Sequence, residues 1–212
     1  MASFHGDPTL QRCEDLPIEA EKDKVLDGLR SARVIAVQPP TGRGKTIKLP
    51  EYILDLHWWE SRCKRPVLVV QQSTFAAQLF VNGFVQHFAY AQEALHLWTG
   101  SDKEEWYRAG TTKFTITTYG MLWKLVSCHA FLSRSSYTRS WSPLFRYGAI
   151  FLDEFADLAP QQEETCKVVS RLVREDVLQD CRRLVVAGYG TRAEYVQKIV
   201  GDHAYVRLEK RK

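Results

Sequence analysis

Short apolar runs alternating with longer amphipathic segments constrain this chain more than any other feature. Residues 34–37 (VIAV), 67–70 (VLVV), 114–117 (FTIT), 149–152 (AIFL) and 184–186 (LVV) are rich in β-branched or aliphatic side chains, and residues 205–208 are the candidate for a sixth run. VLVV and AIFL have no polar side chain to turn outward, as expected of parallel strands buried on both faces. Between most of these runs lie stretches of helical pattern, clearest at residues 75–88 and 161–178. Strand and helix in alternation predict βαβ crossovers, hence an α/β fold whose mostly parallel sheet is flanked by helices on both faces. Ahead of the first run, Ile18, Val25, Leu26 and Leu29 recur at near-helical spacing among charges, which predicts an amphipathic helix over residues 18–29. Residues 127–142 are rich in serine and arginine without a clean period, and read as a long surface connection, with an RNA-binding loop as the alternative.

The 212 residues suit one domain with a substantial core, and 45% apolar with 25% charged residues excludes wholesale disorder. The net charge of +4 comes mostly from the terminal residues 207–212, so a nucleic-acid surface is permitted without being required. Cys13, Cys63, Cys128, Cys166 and Cys181 are odd in number, widely spaced and without a C-x-x-C pair. That pattern argues against a disulfide framework and against zinc, and it suits a reducing compartment. No stretch has the length of a signal-peptide core or of a membrane span, so the expected location is intracellular, cytoplasmic or nuclear, without membrane association.

Two motifs carry chemistry. Residues 38–46 (QPPTGRGKT) follow the first apolar run and precede a helix-compatible stretch at 49–56. Strand, glycine-containing turn and helix in that order make a phosphate cradle, in which backbone N–H groups and the positive end of the helix dipole face the phosphates. Thr41, Gly42, Arg43, Gly44, Lys45 and Thr46 are the candidate nucleotide-binding residues, with Lys45 reaching the β- and γ-phosphates and the Thr46 hydroxyl ligating Mg2+. Pro39 stands where such a loop ordinarily has its first glycine, and an ordinary turn before a helix is the alternative. The second motif, LDEFAD, puts Asp153 and Glu154 straight after an apolar run, at the carboxyl edge where open parallel sheets bind ligands. Asp153 is then a candidate Mg2+ ligand and Glu154 the residue that orients or activates the attacking water. Taken alone, the pair could merely cap the next helix.

In these motifs and their order the chain resembles the first RecA-like domain of superfamily 2 helicases, closest to the DEAH-box RNA helicases and the related viral polyprotein helicases. The likeness runs from Leu16 to about Val206, through PTGRGKTIKLPEYIL, LVVQQSTFAAQL, TITTYGMLWKL, LDEFAD and LVVAGYGTRAEYV. It implies a RecA-like P-loop NTPase domain over residues 16–208, with a flexible lead-in at 1–15 and a basic tail at 209–212. It implies ATP and Mg2+ as cofactors, Lys45 and Glu154 as catalytic residues, and Thr46 and Asp153 as metal ligands. RNA is the implied partner, its backbone touched by Ser73, Thr74, Thr118 and Gly120; the alternative for Thr118 is that it simply finishes a strand.

Departures from the family pattern shape the expected function. Gln72, Ser73 and Thr74 stand where the family carries arginines, Arg43 replaces a small residue, and Ala156 replaces the polar side chain that ends the acidic motif. A Ser-Ala-Thr segment is replaced by Gly188-Tyr189-Gly190. The family's second RecA-like domain, which supplies arginine fingers and completes the RNA clamp, has no counterpart after Val206 and is expected in cis or in trans. The expected activity is ATP hydrolysis coupled to RNA binding or remodelling once that domain is present, weak in isolation. The alternative is a helicase-derived module that binds nucleotide, RNA or a protein without unwinding.

Overall fold

The computed structural model describes residues 16–38, 44–56, 65–87, 94–100, 112–133, 143–156, 158–175, 183–188 and 192–208. Its strands are β1 (Val34–Gln38), β2 (Val67–Gln71), β3 (Leu95–Leu97), β4 (Phe114–Thr118), β5 (Ala149–Leu152), β6 (Arg183–Ala187) and β7 (Ala204–Arg207). Its α-helices are α1 (Lys22–Ser31), α2 (Lys45–Asp55), α3 (Thr74–His87), α4 (Tyr119–Ser133), α5 (Pro160–Arg174) and α6 (Ala193–Val200). The strands form one sheet in the order β3-β4-β2-β5-β6-β1-β7, and every pairing is parallel. This is the α/β sheet that the alternation of apolar runs predicts.

Side chains two apart on a strand share a face, and each strand therefore feeds two cores. Ile35, Val37, Val67, Val69, Phe114, Ile116, Phe151 and Val185 pack on one face with Leu29 of α1, Ile53 of α2 and Phe84 of α3. Ala36, Leu68, Val70, Ile150, Leu152, Leu184 and Val186 pack on the other with Leu122 of α4, Val169 of α5 and Val196 of α6. Burial of all four β5 residues on both faces explains why that run has no polar position. No helix among the described residues is long and apolar enough to cross a membrane.

The structure departs from the sequence-based expectations at four places. Residues 18–29 do not make one helix: Glu19 and Glu21 bond back to the carbonyls of Leu16 and Ile18 at 2.9 and 3.0 Å, forming a tight 3-10 turn over Glu19–Glu21 before α1. That turn buries Ile18 in the core. The expected connection over 127–142 begins as helix, since α4 continues to Ser133; residues 134–142 lie outside the described residues. The short edge strand β3 gives no run long enough to mark it in the sequence. The helix expected over 161–178 is α5, which ends at Arg174, and residues 176–182 lie outside the described residues.

Phe84 anchors α3 to the sheet, stacked on Phe80 at 5.4 Å and edge-on to Phe114 at 5.1 Å between ring centroids. Phe84→Ala is expected to lower unfolding stability by about 3–5 kcal/mol in urea titrations. Phe75→Ala on the same helix, where the ring is 72% exposed, should stay within about 0.5 kcal/mol of wild type.

Candidate functional site

Gly44 sets the entrance to α2. Its φ of +79° is left-handed, and a Cβ there would stand 2.7 Å from Leu16 Cδ1, so conformation and space both require glycine. The Gly44 carbonyl accepts the Lys48 N–H at 2.9 Å and starts the helix, which places Lys45 and Thr46 in the first turn. Thr41, Gly42 and Arg43, the remaining candidate cradle residues, and Pro39 lie outside the described residues.

The acids stand at the end of β5, across β6 from the end of β1. Asp153 extends the ladder, its N–H donating to the Val70 carbonyl at 3.0 Å, and is 1% exposed. A buried carboxylate is costly unless its oxygens are occupied. Here Oδ1 accepts from Lys45 Nζ at 3.2 Å and from the Glu154 N–H at 2.9 Å, while Oδ2 accepts from Gln71 Nε2 at 3.2 Å. Glu154 takes a left-handed backbone, φ +52°, which costs a non-glycine residue about 1–3 kcal/mol. That conformation turns its N–H toward Asp153, and its half-exposed carboxylate also accepts from Lys45 Nζ. Burial disfavours the Lys45 ammonium, but the Asp153 and Glu154 carboxylates outweigh it and hold its pKa above the ordinary lysine value.

Two glutamines that the sequence reading did not single out as site residues complete this arrangement. Gln71 ends β2 and holds Asp153; Gln72, the next residue, donates to the Glu154 carbonyl at 2.8 Å. Gln162 on α5 donates in turn to Gln72 Oε1 at 3.3 Å. The available signal was a buried polar residue ending an otherwise apolar strand. Ala156 offers no side-chain hydrogen bond, yet this segment stays tied to the end of β6, because the Phe155 N–H donates to the Ala187 carbonyl at 2.8 Å. Tyr195 of α6 adds a second tie, accepting the Leu158 N–H at 3.3 Å and donating to Glu163 at 3.1 Å.

Ser73, Thr74, Thr118 and Gly120 are brought together at the same edge. β2 and β4 are neighbours with Gln71 opposite Thr118, so the residues following both strand ends emerge side by side. Ser73 and Thr74 are exposed, Thr118 is half-buried and Gly120 is exposed. The Ser73 hydroxyl also serves the fold: its oxygen accepts the Ala76 N–H at 3.1 Å and caps α3. The edge thus has two neighbouring groups, one around Lys45 and the acids and one at the ends of β2 and β4.

No protein-family model matches the chain. The probable ATP-dependent RNA helicase spindle-E of Drosophila pseudoobscura pseudoobscura is 24% identical over 164 residues, 77% of this chain and 10% of that protein. The DExH-box ATP-dependent RNA helicase DExH6 of Arabidopsis thaliana is 39% identical over 57 residues, 27% of this chain and 4% of that protein. The crystal structure of the Escherichia coli DEAH/RHA helicase HrpB superposes with a TM-score of 0.66 at 19% identity, over 92% of this chain and 22% of that one. The chain is therefore similar in sequence to DExH/DEAH-box RNA helicases, and its fold is an α/β, RecA-like one. The chain spans about a tenth or less of the length of these curated relatives.

Lys45→Met would leave Asp153 buried without its cation. With Gln71 and the Glu154 N–H still in place, the expected loss is about 3 kcal/mol, the low end for orphaning a buried charge. Because the folded pKa of Lys45 is raised, its contribution is fully present below the unfolded value of 10.5 and is lost as pH rises through the folded value. Urea titrations of wild type and variant should differ by a constant amount from pH 7 to about pH 10, then converge above it.

Proposed function

We propose that this chain is the ATP-binding and ATP-hydrolysing half of a DEAH-like RNA helicase motor. The observation that carries the reading is the convergence of Lys45, from the first turn of a glycine-capped helix, on the two acids ending β5. The carboxyl edge of the sheet unites a phosphate-seeking ammonium, a helix N-terminus and a pair of carboxylates. The acids hold the same ammonium that triphosphate oxygens would attract, so Lys45 exchanges one set of anions for the other when nucleotide enters.

The donor set suits magnesium. Mg2+ prefers a few hard oxygen ligands completed by phosphate and water, and Thr46 and Asp153 would supply a hydroxyl and a carboxylate. Three of the roughly four acceptor positions of Asp153 are occupied by Lys45, Gln71 and the Glu154 N–H, which leaves room for one more partner. When bound there, the ion would neutralise charge on the phosphates. Glu154 is the candidate for orienting the attacking water, being half-exposed beside a buried carboxylate that faces inward. Gln71 and Gln72 position the two acids from the strand whose next residues, Ser73 and Thr74, would touch the RNA backbone with Thr118 and Gly120. A second RecA-like domain would supply the arginine fingers, and hydrolysis without it is expected to be slow.

Ala156 and Gly188 favour a second reading, a module that binds nucleotide or RNA without productive turnover, because neither can make the side-chain links expected there. The two readings part in one experiment. On the first, Mg2+-dependent ATP hydrolysis is measurable and rises with RNA, and Lys45→Ala or Glu154→Gln lowers it by about 10²–10⁴-fold. A fluorescent ATP analogue should still bind Glu154→Gln and fail to bind Lys45→Ala. A wild-type rate equal to that of both variants, with analogue binding intact, overturns hydrolysis and leaves the binding module.

A further inference from the structure

A basic groove lies between α5 and α6, at the opposite end of these helices from the acids. Lys167, Arg171 and Arg174 follow the i, i+4, i+7 stripe of α5, and Lys198 faces them from the last turn of α6. The groove encloses about 280 Å3, ample for phosphate groups. Like charges at this spacing repel one another along a helix. The macrodipole at a helix C-terminus accounts for part of the pattern. It does not account for Lys167, two turns from the end of α5, or for the convergence of both helices on one concavity.

Arg174 packs beside an unusual neighbour. Gly201 has φ +72° and ψ −148°, a combination open almost only to glycine, and a Cβ there would lie 2.5 Å from the Arg174 guanidinium. The guanidinium therefore lies directly against the Gly201 backbone. The acids near the groove are Glu164, 3.4 Å from Lys167, Glu175, 3.8 Å from Arg171, and Asp202, which accepts from Gln197. Those two ion pairs are exposed and contribute little. Among the described residues, neither Arg174 nor Lys198 has a carboxylate within salt-bridge distance.

We infer that this groove is a second RNA-backbone site, taking phosphodiesters of a strand on the side of the domain away from the Ser73–Thr118 edge. The inference rests on the RNA reading above and extends it to a surface that reading does not use. Three cations along seven helical residues span about 10 Å, the reach of two or three successive phosphates rather than of one carboxylate. Two of them are arginines, whose planar forks match phosphate oxygens. An acidic protein segment fits less well, because interfaces between proteins are anchored by apolar side chains and the large exposed ones among the described residues, Phe75, Leu79 and Trp123, lie elsewhere.

The test is fluorescence anisotropy of a labelled 20-nucleotide oligouridine with the full chain, titrated across salt. Each phosphate contact on a single strand contributes about 0.7 to the salt slope, so the triple variant Lys167→Gln, Arg171→Gln, Arg174→Gln should lose about 2 from it. Its affinity at 100 mM salt should fall at least ~10-fold. Lys198→Glu, on the other helix, should weaken binding in the same way, which keeps the test decisive if the triple variant does not fold. Arg171→Lys with Arg174→Lys should retain the slope. Wild-type binding with an unchanged slope in the triple variant and unchanged affinity in Lys198→Glu overturns the groove and leaves the RNA reading standing. No binding by wild type at 50 mM salt overturns both. Unchanged RNA slopes together with loss of poly-glutamate binding in the variants also overturn the proposal, in favour of an acidic protein partner.

Discussion

Burial of a parallel sheet on both faces is the constraint from which the rest follows. With Ile150, Leu152, Val185 and Val186 packed beneath helices on either side, no charged side chain stands on a described strand centre, and the buried Thr117 donates its hydroxyl to the Trp98 carbonyl at 2.7 Å. Chemistry is confined to the two edges where strands end and connections begin. Parallel pairing then brings the carboxyl ends of β1, β2, β4 and β5 to one edge, although more than a hundred positions separate Lys45 from Asp153. Helices α5 and α6 end at the other edge, where their C-terminal turns carry Arg171, Arg174 and Lys198.

At the carboxyl edge, the governing problem is how to satisfy the buried carboxyl oxygens of Asp153. Lysine alone would satisfy only part of the carboxylate, and the glutamine at the end of β2 and the turned peptide of Glu154 supply the rest. The adjacent Gln72 holds the carbonyl side of the same turn, so one strand end secures both acids. A comparable but separate cluster fixes the start of the domain, where Lys48 bridges Glu19 at 2.5 Å and Glu51 at 2.8 Å. Burial pushes the Glu51 carboxyl above its usual range despite that lysine. The 3-10 turn carrying Glu19 and the helix carrying Lys45 are thereby joined.

Much of this was legible in the sequence because it depends on local composition. Five runs of β-branched or aliphatic residues marked strand centres within a residue of their observed positions, and AIFL matched β5 from end to end. Lys45, Asp153 and Glu154 were recognisable from the glycine-containing turn and from acids placed directly after a strand. Less legible was whatever depends on partners distant in the chain. β3 is three residues long and is a strand only because β4 lies beside it. Gln71 and Gln72 look like a polar interruption until Asp153 and Glu154 are seen opposite them. The helical start of residues 127–142 was hidden by serine content, since α4 is held by Leu122, Leu125 and Val126 packing on the sheet rather than by the propensity of its last turn. The tight turn before α1 follows from the burial of Ile18, which periodicity alone cannot locate.

The left-handed backbone of Glu154 has a consequence for how this chain tolerates change. A residue with φ of +52° sits where glycine or asparagine would be at ease and where a β-branched side chain would be severely strained. The fold by itself therefore favours losing the glutamate: a small, flexible replacement relieves strain while the ladder on either side persists. Under the proposed hydrolytic role, a carboxylate at such a place marks a divergence between what makes the domain sturdy and what would make the edge reactive. Drift under selection for folding alone would be expected to erode this position first, before any part of the core.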